Sequence, residues 1–271
     1  MNCYLCPRKC GADRTVTRGF CGGGDSVRIA LETLHFWEEP CISGKNGSGT
    51  IFFSGCPLKC EYCQNFKISH ENFGIDISIE RLREIFYELQ SAGAHNINLV
   101  TPTQYVPWII EALRGIKLGI PVIYNTGGYE NVETLKMLDG SIDVYLPDLK
   151  FSKDEIALRA IHEMVRQRGK CVLDDRGMIR SGVIIRHLIL PGGRRDSIKV
   201  LNIIKQEFGD NVLVSIMSQF TPNGRSYKRR ICTFEYESVI SEAVRLELNG
   251  YMQEMSSADK TFIPAFDLRG I

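Results

Sequence analysis

Ser54-Gly55-Cys56-Pro57-Leu58-Lys59-Cys60-Glu61-Tyr62-Cys63-Gln64-Asn65-Phe66 follows directly on an apolar, β-rich run that begins at Thr50. Ten cysteines scattered at random over the chain would produce C-x3-C-x2-C with a chance of about 0.01, so the spacing carries chemistry. Three cysteines on a loop leaving a strand can turn their thiolates toward one point. Thiolates hold iron–sulfur clusters, and three of them on a cubane leave one iron open. A tetrahedral zinc site with a fourth ligand from elsewhere competes with this reading. Three metal-free structural cysteines is the weaker alternative.

Outward from this stretch, the chain alternates short β-rich runs with longer segments of helical apolar spacing. The runs predict strands over 50–54, 96–101, 121–125, 143–147, 182–190 and 212–217, with a weaker one over 250–253. In 78–92, Ile79, Leu82, Ile85, Phe86 and Leu89 recur three and four apart behind Ser78, an N-cap residue with no capping-box partner at Arg81. Further helices are predicted over 106–118, 131–139, 153–168, 196–208 and 233–248. Such alternation implies parallel strands in an α/β fold. A closed eight-fold barrel takes about 250 residues, and only some six units fit between 50 and 248. The expected architecture is therefore a partial (βα)6 barrel at 49–271 preceded by a short Cys-rich extension at 1–48. A doubly wound sheet is the alternative, because strand order is not written in the sequence. Unusual polar groups follow successive strand ends: Cys56–Cys63, Thr101-Pro102-Thr103-Gln104, Asn125-Thr126-Gly127-Gly128, Asp148 with Lys150, Pro191-Gly192-Gly193 and Ser218-Gln219. In parallel α/β folds those ends form one rim, where sites are built.

Composition excludes several other classes. With 271 residues, 44% hydrophobic and 24% charged, the chain reads as globular rather than disordered. A net charge of +1 argues against bulk electrostatic binding to nucleic acid or an anionic membrane, though not against recognition of one RNA by a local patch. The opening MNCYLCPRKC lacks the apolar core of a signal peptide, and no run approaches about 18 apolar residues. A cytoplasmic protein is expected, with no membrane partner and with cysteines used as metal ligands or catalytic thiols rather than disulfides.

C-x3-C-x2-C with an aromatic residue just before the last cysteine is the signature of the radical S-adenosylmethionine (SAM) superfamily, which this chain resembles. HFWEEPCISGKNGSGTIFFSGCPLKCEYCQN, followed by AHNINLVTPTQYVPWII, VIYNTGGYENVETLKMLDG, VYLPDLKF and VIIRHLILPGG, resembles a narrower group, the proteins related to the pyruvate formate-lyase-activating enzyme. The resemblance implies that Cys56, Cys60 and Cys63 bind three irons of a [4Fe-4S] cluster, and that the amino and carboxylate groups of SAM chelate the fourth. Reductive cleavage of SAM then yields methionine and a 5′-deoxyadenosyl radical that abstracts hydrogen from substrate. It further implies that Tyr62 lies against the adenine, that Asn125, Thr126 and Gly127 sit near the methionine or ribose part of SAM, that Asp148 and Lys150 contact SAM or substrate, and that Arg186 holds the SAM carboxylate. From the residues alone, Asp148 and Lys150 read equally as an ion pair, and Gly127-Gly128 as a simple turn. Arg186 inside the apolar run VIIRHLIL needs a buried partner; His187, on the other face of the strand, reads as a packed or surface histidine.

The implied partners are an electron donor such as a flavodoxin or ferredoxin, and a glycyl radical enzyme or other protein substrate. The chain departs from the pattern in three places. Thr101-Pro102-Thr103 replaces a Gly-Gly-Glu-Pro-like segment, and the stretches after Lys150 and after Gln219 (FTPNGRSYKRR) are shorter than in the group. If the shortening removes the substrate-facing rim, the alternatives are modification of a peptide or metabolite, or a non-catalytic iron–sulfur or zinc protein.

Cys3, Cys6, Cys10 and Cys21 form a second set, C-x2-C-x3-C-x10-C, suited to zinc or to a second cluster. The other readings are a redox disulfide pair or cysteines that never converge on one site. Arg225, Lys228, Arg229 and Arg230 read as a solvated loop, or else as a docking patch for a protein or acidic substrate. Phe36 and Trp37 are expected to pack the extension onto the barrel, and Cys41, Cys171 and Cys232 to be ordinary thiols.

Overall fold

The computed structural model describes residues 2–222, 224–255 and 264–271; Met1, Asn223 of the shortened loop and positions 256–263 of the C-terminal tail lie outside the described residues. Strands β1 (Val27–His35), β2 (Ser48–Phe53), β3 (Ile75–Ile77), β4 (Ile97–Val100), β5 (Val122–Thr126), β6 (Val144–Pro147), β7 (Val172–Leu173), β8 (Ile179–Leu188), β9 (Leu213–Met217) and β10 (Gly250–Met252) join in one sheet. Its order is β10-β9-β8-β6-β5-β4-β2-β1-β3, with β7 beside β8. From β2 to β10 every pairing along this path is parallel. Their order in space follows their order in the chain, with no reversal point, which distinguishes an open barrel from a doubly wound sheet.

Helices α1 (Pro40–Ser43), α2 (Phe66–Ser69), α3 (Ile79–Ser91), α4 (Val106–Leu113), α5 (Val132–Met137), α6 (Glu155–Arg168), α7 (Arg194–Phe208) and α8 (Thr233–Arg245), with 3-10 turns at Thr103–Tyr105 and Gly209–Asn211, complete the described elements. α3 starts as predicted: the Ser78 hydroxyl accepts from the Arg81 amide at 3.1 Å, and Leu82, Ile85, Phe86 and Leu89 are buried. α6 is capped by Asp154, which accepts from the Ala157 amide at 3.0 Å, and stops at Gly169, whose φ of 63° favours glycine.

Two apolar layers hold the barrel. The outer one lies between strands and helices, with Ile97, Leu99, Tyr124 and Tyr145 facing Ile85, Ile109, Leu135 and Ile161. The inner one closes the barrel floor, where Ile42 of α1 packs with Cys41, Ile123, Val144, Leu146, Ile179 and Ile184. Ile42 is fully buried, so Ile42→Ala is expected to cost about 2–5 kcal/mol by cavity formation, read as a lower denaturant midpoint at unchanged slope.

The sheet also reaches into the Cys-rich opening. β1 runs antiparallel to β2 from Ile29 opposite Phe53 to His35 opposite Ser48, and buries Val27, Ile29 and Leu31. This strand and α1, and not the Phe36-Trp37 pair, join residues 1–48 to the barrel. Phe36 and Trp37 are 49% and 59% exposed, which corrects their expected packing role. The chain leaves the sheet after His35, and Trp37 overhangs the mouth instead.

Candidate active site

The Cys56–Cys63 loop leaves β2 at the carboxyl rim and is held from below. The Tyr105 hydroxyl and the Gln104 side-chain amide donate to the Ser54 carbonyl at 3.1 and 3.0 Å. Gly55 has φ of 81°, and a Cβ there would lie 2.2 Å from the Cys21 carbonyl oxygen, so this position requires glycine. That carbonyl accepts from the Cys56 amide at 3.0 Å, tying the N-terminal cysteine segment directly to the loop. The Cys63 amide donates to the Cys60 carbonyl at 3.0 Å, the Ser69 hydroxyl to the Cys63 sulfur at 3.3 Å, and the Gln64 amide to the Gln219 carbonyl at 2.8 Å.

Burial pushes the Cys56 thiol up to about 12, and the charges of Cys63 and Cys60 add to the effect. Burial raises Cys60 as well, with Lys150 opposing and Cys63 reinforcing it. The three thiols therefore feel one another across a shared space, although among the described residues no three His, Cys, Asp or Glu side chains are gathered closely enough to hold a metal ion. In kind the donor set fits an iron–sulfur cluster: three soft ligands, mutually repelling as thiolates, whose charge bound iron would offset.

Beside this loop, a cleft of about 220 Å³ opens at the strand ends, lined among others by Cys60, Tyr62, Cys63, Asn125, Asp148, Lys150 and Arg186. One ionic network spans its wall. Arg186 donates through Nε to Asp148 at 2.9 Å, through Nη1 to Glu38 at 3.3 Å and through Nη2 to the Asn125 side-chain oxygen at 2.6 Å. Lys150 donates to the other oxygen of Asp148. The Asn98 and Asn125 amides both donate to Glu38 Oε1 at 3.2 Å. Burial alone would raise the Asp148 carboxyl, but Lys150 and Arg186 outweigh it and hold the group below its ordinary value. Burial likewise disfavours the Lys150 charge, and Asp148 overrides it, keeping the ammonium above its usual range.

Of the predicted SAM-site residues, Tyr62, Asn125, Asp148, Lys150 and Arg186 thus meet at one mouth with Cys60 and Cys63, and the Tyr62 ring packs edge-on against Tyr227. Gly127 lies alongside: a Cβ there would stand 3.3 Å from Leu58 and 3.8 Å from Lys150. The Thr126 side chain does not reach the mouth, because strand residues alternate faces and its hydroxyl donates behind the sheet to Glu130. Sequence reading missed Glu38, Glu39 and Asn98. Glu38-Glu39 stands in no motif of its own and gains meaning only through contacts far along the chain, which for Glu38 are 60 to 148 positions away. His187 is buried, with Nδ1 2.8 Å from the Leu149 carbonyl oxygen, as expected of a packed histidine. Thr101, at the end of β4 where the Gly-Gly-Glu-Pro-like segment is missing, takes φ of 59°, a strained value for a β-branched residue.

Glu130 also accepts from Thr103 at 2.6 Å and Tyr124 at 3.3 Å, yet burial pushes its carboxyl up to about 7 from 4.5. The fold therefore favours the protonated form. Stability from this group is full below pH 4.5 and lost as pH rises toward 7, by about 3 kcal/mol. Urea unfolding across that range should show wild type losing stability relative to Glu130→Gln as pH rises; a constant difference would contradict the assignment.

The N-terminal thiols also share a neighbourhood. A Cβ on Gly19 would lie 3.5 Å from the Cys21 sulfur and 3.6 Å from that of Cys10. Burial pushes Cys6 up to about 11, with Cys21 and Cys3 adding to it. Backbone amides, Ala12 foremost, lower Cys10. Between Cys21 and the Trp108 ring lies Arg14, 7% exposed, with Nε and Nη2 making no hydrogen bond.

Comparison with known proteins places this architecture. Residues 50–217, from β2 to the end of β9, match the model of the Radical SAM superfamily, and the chain belongs to that family. An uncharacterized protein of Methanocaldococcus jannaschii, MJ0674, is 30% identical over 267 residues, covering 92% of this chain and 76% of its own. Among solved structures, Streptococcus suis SuiB bound to its precursor peptide SuiA is similar in fold at 15% identity and a TM-score of 0.50, and SuiB bound to S-adenosylmethionine at 14% and 0.49. Each covers 73% of this chain, which spans less than half of the SuiB length. The family implies a [4Fe-4S] cluster and SAM as cosubstrate. Among the described residues no helix is long and apolar enough to cross a membrane.

Proposed function

We propose that this chain cleaves SAM reductively and uses the 5′-deoxyadenosyl radical to abstract hydrogen from a backbone glycine of a partner enzyme, as an activase. The observation that carries the first part is the convergence of the Cys56–Cys63 loop and the Asn125–Arg186–Asp148–Lys150 network on one cleft. When bound, the cluster supplies one electron to the SAM sulfonium. Cys56, Cys60 and Cys63 would hold it, leaving one iron for the amino acid end of SAM. Arg186 and Lys150 offer cations to a carboxylate, Asn125 a polar edge, and Tyr62 an aromatic face for the adenine. The activase role rests on the resemblance of residues 35–65 and of the D-x-K at the end of β6 to activating enzymes; fold alone does not fix substrate. An electron donor of the flavodoxin or ferredoxin kind completes the reading.

Anaerobically reconstituted protein with dithionite and SAM should release 5′-deoxyadenosine. No product from protein with an intact cluster would sink the enzyme reading in favour of a non-catalytic cluster protein. With a glycyl radical enzyme added, a glycyl radical signal in electron paramagnetic resonance (EPR) is expected. Deoxyadenosine without that signal would favour modification of a peptide or metabolite.

The same proposal gives Cys3, Cys6, Cys10 and Cys21 a second thiolate site, as zinc or as an iron–sulfur cluster. Arg14, buried beside Cys21 with Nε and Nη2 lacking hydrogen-bond partners, carries a charge that an anionic metal–thiolate centre would offset. Replacing the four cysteines by Ala should lower the iron or zinc count per chain. Unchanged metal content would remove this site.

A further inference from the structure

Behind the mouth lies a second cavity of about 220 Å³ that shares Trp37, Glu38 and Arg186 with the first and reaches in toward β9 and β10. Its wall includes Glu39, a carboxylate only 7% exposed whose Oε2 makes no hydrogen bond. A buried carboxylate oxygen without a donor is costly, so its retention beside a cavity points to a ligand group that satisfies it. The position is rigid: the Glu39 carbonyl accepts from the Ile42 and Ser43 amides at 2.8 and 3.0 Å, and the Glu38 amide donates to the Ser43 hydroxyl at 3.0 Å.

Charge identifies the missing group. Three carboxylates, Glu38, Glu39 and Asp148, face two cations, Arg186 and Lys150. Arg186 spends its hydrogen bonds on Asp148, Glu38 and Asn125, and Lys150 donates to Asp148. Glu39 is left with the Ser215 hydroxyl, its own backbone amide and the more distant Arg186 charge, none of which reaches Oε2 within hydrogen-bond distance, while burial and Glu38 hold its carboxyl above the usual range. A cation entering the cavity would reverse that. The other walls, Tyr251, Gln253 and Trp37, suit the stem of such a group.

We propose that Glu39 anchors a primary ammonium of the hydrogen-donating substrate, holding it in the second cavity while the reacting carbon faces the mouth. The proposal rests on the radical SAM reading above and adds the substrate's chemical class. Glu39 is a specificity-determining residue, in contact with substrate at a distance from the reacting atoms.

The test uses reconstituted holoenzyme saturated with SAM, so that the SAM amine is already placed. Ligand-observed nuclear magnetic resonance would compare n-butylammonium, uncharged 1-butanol, and the peptide acetyl-Gly-Lys-Gly-amide. Wild type should bind n-butylammonium at least tenfold more tightly than 1-butanol, and Glu39→Gln should erase that preference. Tighter binding of the peptide would assign the ammonium to a peptide substrate, and weaker binding to a small amine; either supports the anchor. Equal binding of n-butylammonium and 1-butanol by wild type overturns it, and this comparison holds even if Glu39→Gln does not fold. Undiminished preference in a folded Glu39→Gln overturns it too. Selective ammonium binding in a protein that makes no deoxyadenosine would support the cation site and contradict the catalytic reading.

Discussion

Cys60→Ala is expected to abolish deoxyadenosine formation and to lower the iron content of the reconstituted protein, while leaving the fold intact. Cys60 is half-buried and lines the mouth, so its truncation removes little packing. Its loss removes one of only three thiols on the loop, and two cannot hold a cubane with a single open iron. Neighbouring thiols do not compensate. Cys41 is buried in the barrel floor, Cys171 packs beside it, and Cys21 faces the N-terminal segment, with the Gly23 amide 3.4 Å from its sulfur. Deoxyadenosine yield and iron count, read together with circular dichroism, separate this from unfolding. Wild-type turnover in the variant would remove Cys60 from the ligand set.

Arg186→Met is expected to destabilise the protein by about 3–5 kcal/mol, because it leaves the buried Glu38 carboxylate without its cation and Asp148 with Lys150 alone. Among the described residues, Arg186 alone joins Asp148, Glu38 and Asn125, which come from three separate segments of chain. Its side chain is 14% exposed, against 16% for Asp148 and 12% for Glu38, so solvent screens these pairs weakly. Lysine cannot restore the arrangement, since a single ammonium cannot reproduce the planar fork that meets three acceptors. Arg186→Lys should therefore recover only part of the loss, measured as unfolding free energy in urea at pH 7. A change below about 1 kcal/mol for Arg186→Met would mean the network is solvated like a surface pair.

The barrel was largely legible because its strands are short apolar runs and its helices repeat apolar residues at three and four. Thus α3 and its Ser78 cap fall where periodicity puts them, β5 is offset by one residue, and β6 and β9 start one residue later than expected and end where expected. β1 was not legible: Val27–His35 follows a stretch of cysteine and glycine, and an antiparallel strand preceding a parallel series has no signature in βα alternation. The mouth was legible where residues sit at strand ends, as with Asn125, Asp148 and Lys150. Thr126 shows the limit of reading motifs as blocks. Period-two alternation turns it away from Asn125 and onto Glu130. Glu38 and Glu39 were opaque because their partners, Asn98, Asn125, Arg186 and Ser215, approach only once the barrel has curled.

The central claim is that the Cys56–Cys63 loop and the ionic mouth bind one cluster and one SAM in contact. EPR of the reduced, reconstituted protein before and after adding SAM tests it most directly. Variants lacking Cys3, Cys6, Cys10 and Cys21 keep any second centre out of the spectrum. The account predicts a [4Fe-4S] signal whose g values shift on addition of SAM, with the shift lost in Cys60→Ala. A cluster signal that SAM leaves unchanged in wild type would contradict it.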